Sequence, residues 1–182
     1  MNLPAGLPPV RYQILTKGAT FMSRMIEVDI GRCTGCGTCE LMCSFRHHGE
    51  FNPRKARIRK TVYLHEELAV PVVCTQCKDA WCQRICPAGA ISRTRLADGA
   101  EVVQVNHEKC VGCRMCQLAC PFGNIEVGAS GHAEKCDLCD GDPQCVRFCA
   151  RGALRYIDSE RSIVERRAGW AAQLAESYRG GE

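Results

Sequence analysis

Residues 110–121 read CVGCRMCQLACP, with thiols at 110, 113, 116 and 120 and a proline after the last. A similar set of four returns three times. Cys33, Cys36, Cys39 and Cys43 stand in CTGCGTCELMC. Cys74, Cys77, Cys82 and Cys86 stand in CTQCKDAWCQRICP, and Cys136, Cys139, Cys145 and Cys149 in CDLCDGDPQCVRFC. Together with Cys110, Cys113, Cys116 and Cys120 they account for all 16 cysteines. In C-x2-C-x2-C, three thiolates project from one tight loop toward a common centre, and loop amides can point at the same place. A [4Fe-4S] cubane offers several iron corners to such a loop, with a fourth cysteine on the helix that follows. Groups two and four lengthen the gap before the third cysteine by KDAW and DGDPQ, which keeps the ligand and enlarges the loop. The expected cofactors are four [4Fe-4S] clusters.

Two rivals compete for so many thiols: a secreted disulfide scaffold and a structural zinc protein. The N-terminal stretch MNLPAGLPPVRYQILTKGATF has neither a compact apolar run nor a cleavage site, so it does not read as a secretory signal. A reducing cytoplasm, the expected location, keeps thiols free. Structural zinc sites usually take two C-x2-C knuckles from separate loops, whereas groups one and three place three cysteines in one loop with a fourth close behind. No apolar run reaches the roughly 18 residues of a bilayer-spanning helix, so no membrane insertion is expected. The formal charge of +4 becomes about −4 if each oxidised cluster with its four thiolates adds a net −2. The Lys and Arg then serve at least partly as counter-charge. Aromatics interleaved for base stacking are lacking, so no nucleic-acid partner is expected.

Groups one and three resemble each other, RCTGCGTCELMCSF against KCVGCRMCQLACPF. Groups two and four share CPAGAI and CARGAL downstream. The chain therefore reads as two tandem halves. On these four groups in order, over roughly residues 25–157, it resembles the four-cluster, ferredoxin-like electron-transfer subunits of molybdenum and tungsten oxidoreductase complexes. The stretch CSFRHHGEFNPRKARIR after the first group looks most like the small iron–sulfur partners of tungsten-dependent aldehyde oxidoreductases. The resemblance implies that clusters pair group one with four and group two with three, by trading fourth ligands. Cys33, Cys36 and Cys39 then take Cys149, and Cys136, Cys139 and Cys145 take Cys43. Cys74, Cys77 and Cys82 take Cys120, and Cys110, Cys113 and Cys116 take Cys86. One hint in the residues agrees: Pro87 and Pro121 follow the last cysteine of groups two and three, where groups one and four have Ser44 and Ala150. A proline that merely stops a short helix gives the same pattern.

These ligands need elements to hold them. Residues 56–64 alternate like a strand, 68–73 are a second extended run, and 91–106 read as a hairpin around Asp98-Gly99. Short helices are expected after the fourth cysteine of each group. The fold class is α+β, with two ferredoxin-like cluster-binding units, short strands, short helices and long loops. An outer unit takes 25–73 with 121–157, and an inner unit takes 74–120. An N-terminal extension covers 1–24 and a partly helical tail covers 158–182. In that tail Trp170, Leu174 and Tyr178 form one stripe, for its own domain or for another subunit. The basic stretch 46–60 (Arg46, Arg54, Lys55, Arg57, Arg59, Lys60) reads either as a solvated strand edge balancing cluster charge or as a docking face for an acidic partner. With every ligand position supplied by cysteine, His47 and His48 are expected to hydrogen-bond near a cluster or partner. Trp81 is expected to shield one from water.

No nucleotide-binding glycine motif, P-loop or nucleophile–base set is present, and radical-SAM spacing is absent. The chain is expected to be an electron conduit without its own substrate site. By resemblance its partner is a tungsten- or molybdenum-pterin catalytic subunit, an aldehyde oxidoreductase first, and a flavin subunit using nicotinamide would close the circuit. The alternatives are an iron–sulfur subunit of a hydrogenase, formate dehydrogenase or other reductase complex and, more distantly, a zinc scaffold. End-to-end association of copies is a further expectation, since a line of clusters has two ends. Protein purified without oxygen should be brown and carry about sixteen iron and sixteen acid-labile sulfide per chain. Colourless protein with about four zinc would leave only the scaffold reading.

Overall fold

The computed structural model describes residues 23–159, 167–168, 170–172 and 174–175. Among the described residues, eight short strands pair two by two, all antiparallel. β1 (Arg24–Val28) pairs with β8 (Leu154–Asp158), so the two ends of the cysteine-bearing stretch meet, with Ile26 opposite Tyr156. β2 (Arg59–Tyr63) pairs with β3 (Leu68–Val72), β4 (Ile91–Arg95) with β5 (Glu101–Val105), and β6 (Ile125–Val127) with β7 (Ala133–Lys135). The β4–β5 ribbon turns where Asp98-Gly99 predicts: Gly99 takes φ +82 and the Leu96 amide donates to the Ala100 carbonyl at 2.8 Å. β1, β8, β6 and β7 were not expected from the sequence.

The helices differ from expectation in place. α1 (Thr38–His48), α2 (Trp81–Arg84), α3 (Met115–Ala119) and α4 (Gln144–Arg147) each start just before the third cysteine and run toward the fourth. After the fourth cysteine, groups two, three and four turn instead of forming a helix. Gly89, Gly123 and Gly152 donate their amides back to the carbonyls of Cys86, Cys120 and Cys149 at 3.2, 3.3 and 2.9 Å. All three glycines have positive φ, which a continuing right-handed helix excludes. The stretches expected as helix are therefore Cys-x-x-Gly turns. The helices pack in two pairs, α1 against α4 and α2 against α3.

Two apolar cores result. One gathers Ile26, Ile58, Val73, Leu96, Val102, Leu138 and Leu154 around Cys43, Cys74, Cys136 and Cys145. The other gathers Ile91, Val103, Ile125 and Ala133 around Cys116, with Cys77, Cys82, Cys86, Cys110 and Cys120 packed against it. β5 is the wall between them. Val102 and Val103 are both fully buried, and because successive side chains point to opposite faces, each serves a different core.

Trp170 and Leu174 lie in helical backbone and are exposed, so they do not form a buried face on the chain's own core. Tyr178 and residues 1–22 lie outside the described residues. No helix among the described residues is long and apolar enough to cross a membrane.

The group-three loop passes close to the turn before β7. Gly112 has φ +67, and a Cβ there would overlap the Gly131 carbonyl oxygen. Gly112→Ala should cost at least about 2 kcal/mol, from left-handed strain plus the clash. A lower melting temperature with a loss of about four irons per chain would be the signature. Unchanged melting and full iron would contradict the packing described.

Candidate metal centres

The third and fourth cysteines of every group lie four residues apart, one turn of helix. α1 holds both of its pair, whereas in the other three groups the fourth cysteine follows just past the end of the short helix. In groups one and three, α1 and α3 start from a left-handed residue, Gly37 (φ +78) and Arg114 (φ +63). That kink folds the preceding C-x2-C back toward the helix.

Cavities show which thiols meet. Cys33, Cys36, Cys39 and Cys149 line one of about 330 Å³, walled by Thr38 and Lys60. Cys74, Cys77, Cys82 and Cys120 line a second with Trp81, Phe122 and Lys135. Cys86, Cys110, Cys113 and Cys116 line a third. Cys43, Cys136, Cys139 and Cys145 are all buried, and Cys136, Cys43, Cys139 and Cys39 all add to the upward push on the Cys145 thiol. Each of the three cavities thus unites three cysteines of one group with the last cysteine of another. A further cleft, of about 440 Å³, is lined by no cysteine.

The donor chemistry suits a polynuclear metal centre. None of the sixteen thiols is in a disulfide. Burial pushes Cys39 and Cys139 up to about 11, and pushes Cys136 and Cys145 higher still. It also raises Cys43, Cys82 and Cys116. Only Cys36, beside the Thr38 hydroxyl at 3.4 Å, is drawn down. Thiols so reluctant to ionise alone gain most from a cation that replaces their protons. Backbone amides already point at sulfur: Arg57 N to Cys43, Ala90 N to Cys86 and Ala133 N to Cys110, each at 3.3 Å, and Asn124 N to Cys120 at 3.4 Å. Iron clusters are tuned by such hydrogen bonds to sulfur.

The basic stretch is neither a plain solvated edge nor a free docking face. Arg57 is mostly buried and pairs with Asp137 at 2.6 Å. Arg59 pairs with Glu126 at 2.9 Å, Lys55 with Glu50 at 2.7 Å, and Arg46 with Asp140 at 3.6 Å. Lys60 Nζ donates to the Gly35 carbonyl at 2.7 Å, beside the first cavity. His47 Nε2 lies 3.8 Å from Cys139 Sγ and 3.5 Å from Asp137 Oδ1, and burial lowers its pKa to about 4. His48 faces Glu134 at 3.5 Å. Trp81 lines the second cavity but is 56% exposed, so it covers that site incompletely.

Known proteins match in the same places. The 4Fe-4S dicluster domain family matches residues 73–124, and the 4Fe-4S binding domain family matches residues 30–46. YsaA of Escherichia coli (strain K12) is 38% identical over 151 residues, 77% of this chain and 93% of that one. Electron transport protein HydN of the same organism is 34% identical over 164 residues, 77% of this chain and 91% of HydN. The chain belongs to the ferredoxin-like 4Fe-4S electron-transport proteins. Formate hydrogenlyase subunit 2 of the same organism is a further relative, 35% identical over 176 residues, 76% of this chain and 83% of that subunit. As a member of this family the chain binds [4Fe-4S] clusters, and sixteen cysteines are enough for four.

Residues that the spacing did not reveal surround these ligands. Asp137 accepts from Arg57 and, at 2.9 Å, from the Cys139 amide. Burial opposes its ionisation, but Arg57, His47 and that amide together hold it below the ordinary carboxylate range. Glu40 accepts the Lys60 amide at 2.9 Å. Gln76, 3% exposed, ties the group-two loop to the Cys136 carbonyl at 2.7 Å. One signal for Gln76 was readable. The third residue of each C-x-x-C is left-handed: Gly35 and Gly112 in two groups, Gln76 (φ +51) and Leu138 (φ +59) in the others. A side chain kept where glycine costs least is there for its contacts.

Asp137→Ala would strand the Arg57 guanidinium, 11% exposed, without its partner. A loss of about 2–3 kcal/mol is expected, below the figure for a fully buried pair because both groups touch water. Chemical denaturation of the cluster-loaded protein measures it. A change under about 0.5 kcal/mol, the size of an ordinary surface substitution, would remove Asp137 from the support of this site.

Proposed function

We propose that this protein relays electrons through four [4Fe-4S] clusters between a catalytic oxidoreductase subunit and a further redox carrier, in the cytoplasm and without a substrate site of its own. The ligand sets are Cys33, Cys36, Cys39 and Cys149; Cys136, Cys139, Cys145 and Cys43; Cys74, Cys77, Cys82 and Cys120; and Cys110, Cys113, Cys116 and Cys86. The observation that carries this reading is the crossing of fourth cysteines between groups in the cavities. The pairing of α1 with α4 and of α2 with α3 supports it, for an outer unit of 25–73 with 121–157 and an inner unit of 74–120.

When bound, the clusters supply one-electron storage and transfer. The protein's residues do the rest. Each short helix holds the third cysteine of its group and leads to the fourth, in α1 or just past the end of α2, α3 and α4, so one segment serves two neighbouring centres. Cys39 adds to the upward push on the Cys145 thiol across the outer pair, and Cys74 adds to that on Cys136 across the junction of the pairs. The resulting order is Cys33's centre, Cys136's, Cys74's, then Cys110's.

For the catalytic partner, a tungsten- or molybdenum-pterin aldehyde oxidoreductase is favoured on the likeness of CSFRHHGEFNPRKARIR, with a flavin subunit using nicotinamide beyond it. A hydrogenase or formate-oxidising complex is supported about as well, by the 35% identity to formate hydrogenlyase subunit 2. A line of centres exposed at both ends also suits end-to-end association of copies. Anaerobic affinity purification from the native host, with metal analysis of the co-purifying subunits, tests this. A pterin-bearing tungsten or molybdenum protein selects the first partner, and a hydrogenase subunit the second. A chain recovered alone that reduces neither kind of partner would remove the relay. Cys43→Ser and Cys145→Ser should perturb the same EPR signal, as should Cys120→Ser and Cys82→Ser. Perturbation of a signal shared with Cys39 by Cys43→Ser would break the proposed sets.

A further inference from the structure

Lys135 ends β7 and is 4% exposed. Its Nζ meets three oxygens: the Val103 carbonyl, the Cys136 carbonyl at 3.0 Å and Gln76 Oε1 at 3.3 Å. An ammonium carries three N–H donors and no acceptor, so three oxygens satisfy it fully. All three are neutral. Among the described residues no carboxylate pairs with Lys135, whereas Arg57, Arg59, Lys55 and Arg46 each have one. A buried charge without a counter-charge is strongly disfavoured. Its compensation must lie outside the protein's own acidic groups.

Its position identifies that compensation. Lys135 lines the cavity of Cys74, Cys77, Cys82 and Cys120, and it directly precedes Cys136 in the other unit. Gln76 stands between Cys74 and Cys77, donates to the Cys136 carbonyl at 2.7 Å and accepts the Val103 amide at 3.1 Å. Gln76, Val103 and Lys135 thus tie two ligand loops into one node, where the pairs of centres meet.

We propose that Lys135 is the charge-compensating positioning residue of the junction between the cluster pairs, raising the reduction potentials of the two clusters that flank it. The inference rests on the ligand sets proposed above. Reduction adds one negative charge to a site already anionic and withdrawn from water, and a fixed neighbouring cation favours that added charge. Electrons then cross between the units at this node: one flanking centre is oxidised as the other is reduced, and no proton is required.

The experiment is an EPR-monitored redox titration of the full chain, purified without oxygen. Lys135→Met should weaken reduction of the two flanking clusters about tenfold each, about 59 mV for a one-electron couple. The other two should move by less than half of that, and Lys135→Arg should restore wild-type potentials. Cys82→Ser and Cys145→Ser assign the flanking signals, each matched against Cys120→Ser and Cys43→Ser. If those pairs match and Lys135→Met moves none of the four potentials, or all four equally, the charge role is wrong and the ligand sets stand. If the cysteine variants pair otherwise, the ligand reading falls and the junction with it. Should Lys135→Met fail to take up iron, Gln76→Glu, which sets a carboxylate against the same ammonium, must lower the same two potentials. Loss of iron in both variants would make the node structural and overturn the assignment.

Discussion

Four sulfurs must be brought to one point away from water, and everything else in this chain follows from that requirement. Burial alone works against it, since the thiols of Cys136 and Cys145 are driven far from ionising by their surroundings. Only a cation at the point of convergence reverses the balance, which makes metal uptake part of the folding free energy. The protein's share is geometric. Left-handed residues start α1 and α3, glycine turns end the motifs of groups two, three and four, and backbone amides aim at Cys43, Cys86, Cys110 and Cys120.

The apolar framework around these centres is thin. Its largest fully buried side chains are Ile58, Ile125, Leu138, Val102 and Val103, with no aromatic ring among them. Two-stranded ribbons of three to five residues are marginal by themselves. Each ribbon here gains from a cluster loop packed against it. The β4–β5 ribbon gains twice, because Val102 faces one core and Val103 the other. A shared wall holds the two cores, and the centres they contain, in fixed register. A relay needs that constancy.

Much of this was legible in the residues. The spacing of sixteen cysteines named the chemistry, Asp98-Gly99 placed a hairpin, and the alternation over 56–64 and 68–73 located β2 and β3 to within a few residues. What escaped reading was short or long-range. β6 and β7 have three residues each, too few for a period-2 pattern, and the β1–β8 pair joins residues more than a hundred positions apart. Helices were expected after the fourth cysteine of each group. In group one α1 does run on past Cys43 to His48, whereas in the other three Cys-x-x-Gly supplies a turn and the helix lies before it. The supports of the site, Asp137 and Gln76, are ordinary loop residue types whose partners are distant in sequence.

Charge shows the difference between composition and arrangement most clearly. A run of Arg and Lys over 46–60 suggests a surface open to an anionic partner. In the fold most of these cations are already partnered: Arg57 is mostly buried against Asp137, Arg59, Lys55 and Arg46 meet Glu126, Glu50 and Asp140 nearer the surface, and Lys60 meets the Gly35 carbonyl. A polyanion would have to displace carboxylates already in place, so the run is poor evidence for nucleic-acid binding. Paired cations are nearly silent at a distance. Lys135 is different, because its neutral hydrogen bonds leave its field unspent. Formal charge therefore says little about where this protein is electropositive. That is decided by where cations lack carboxylates, and among the described residues Lys135 is such a cation withdrawn from water.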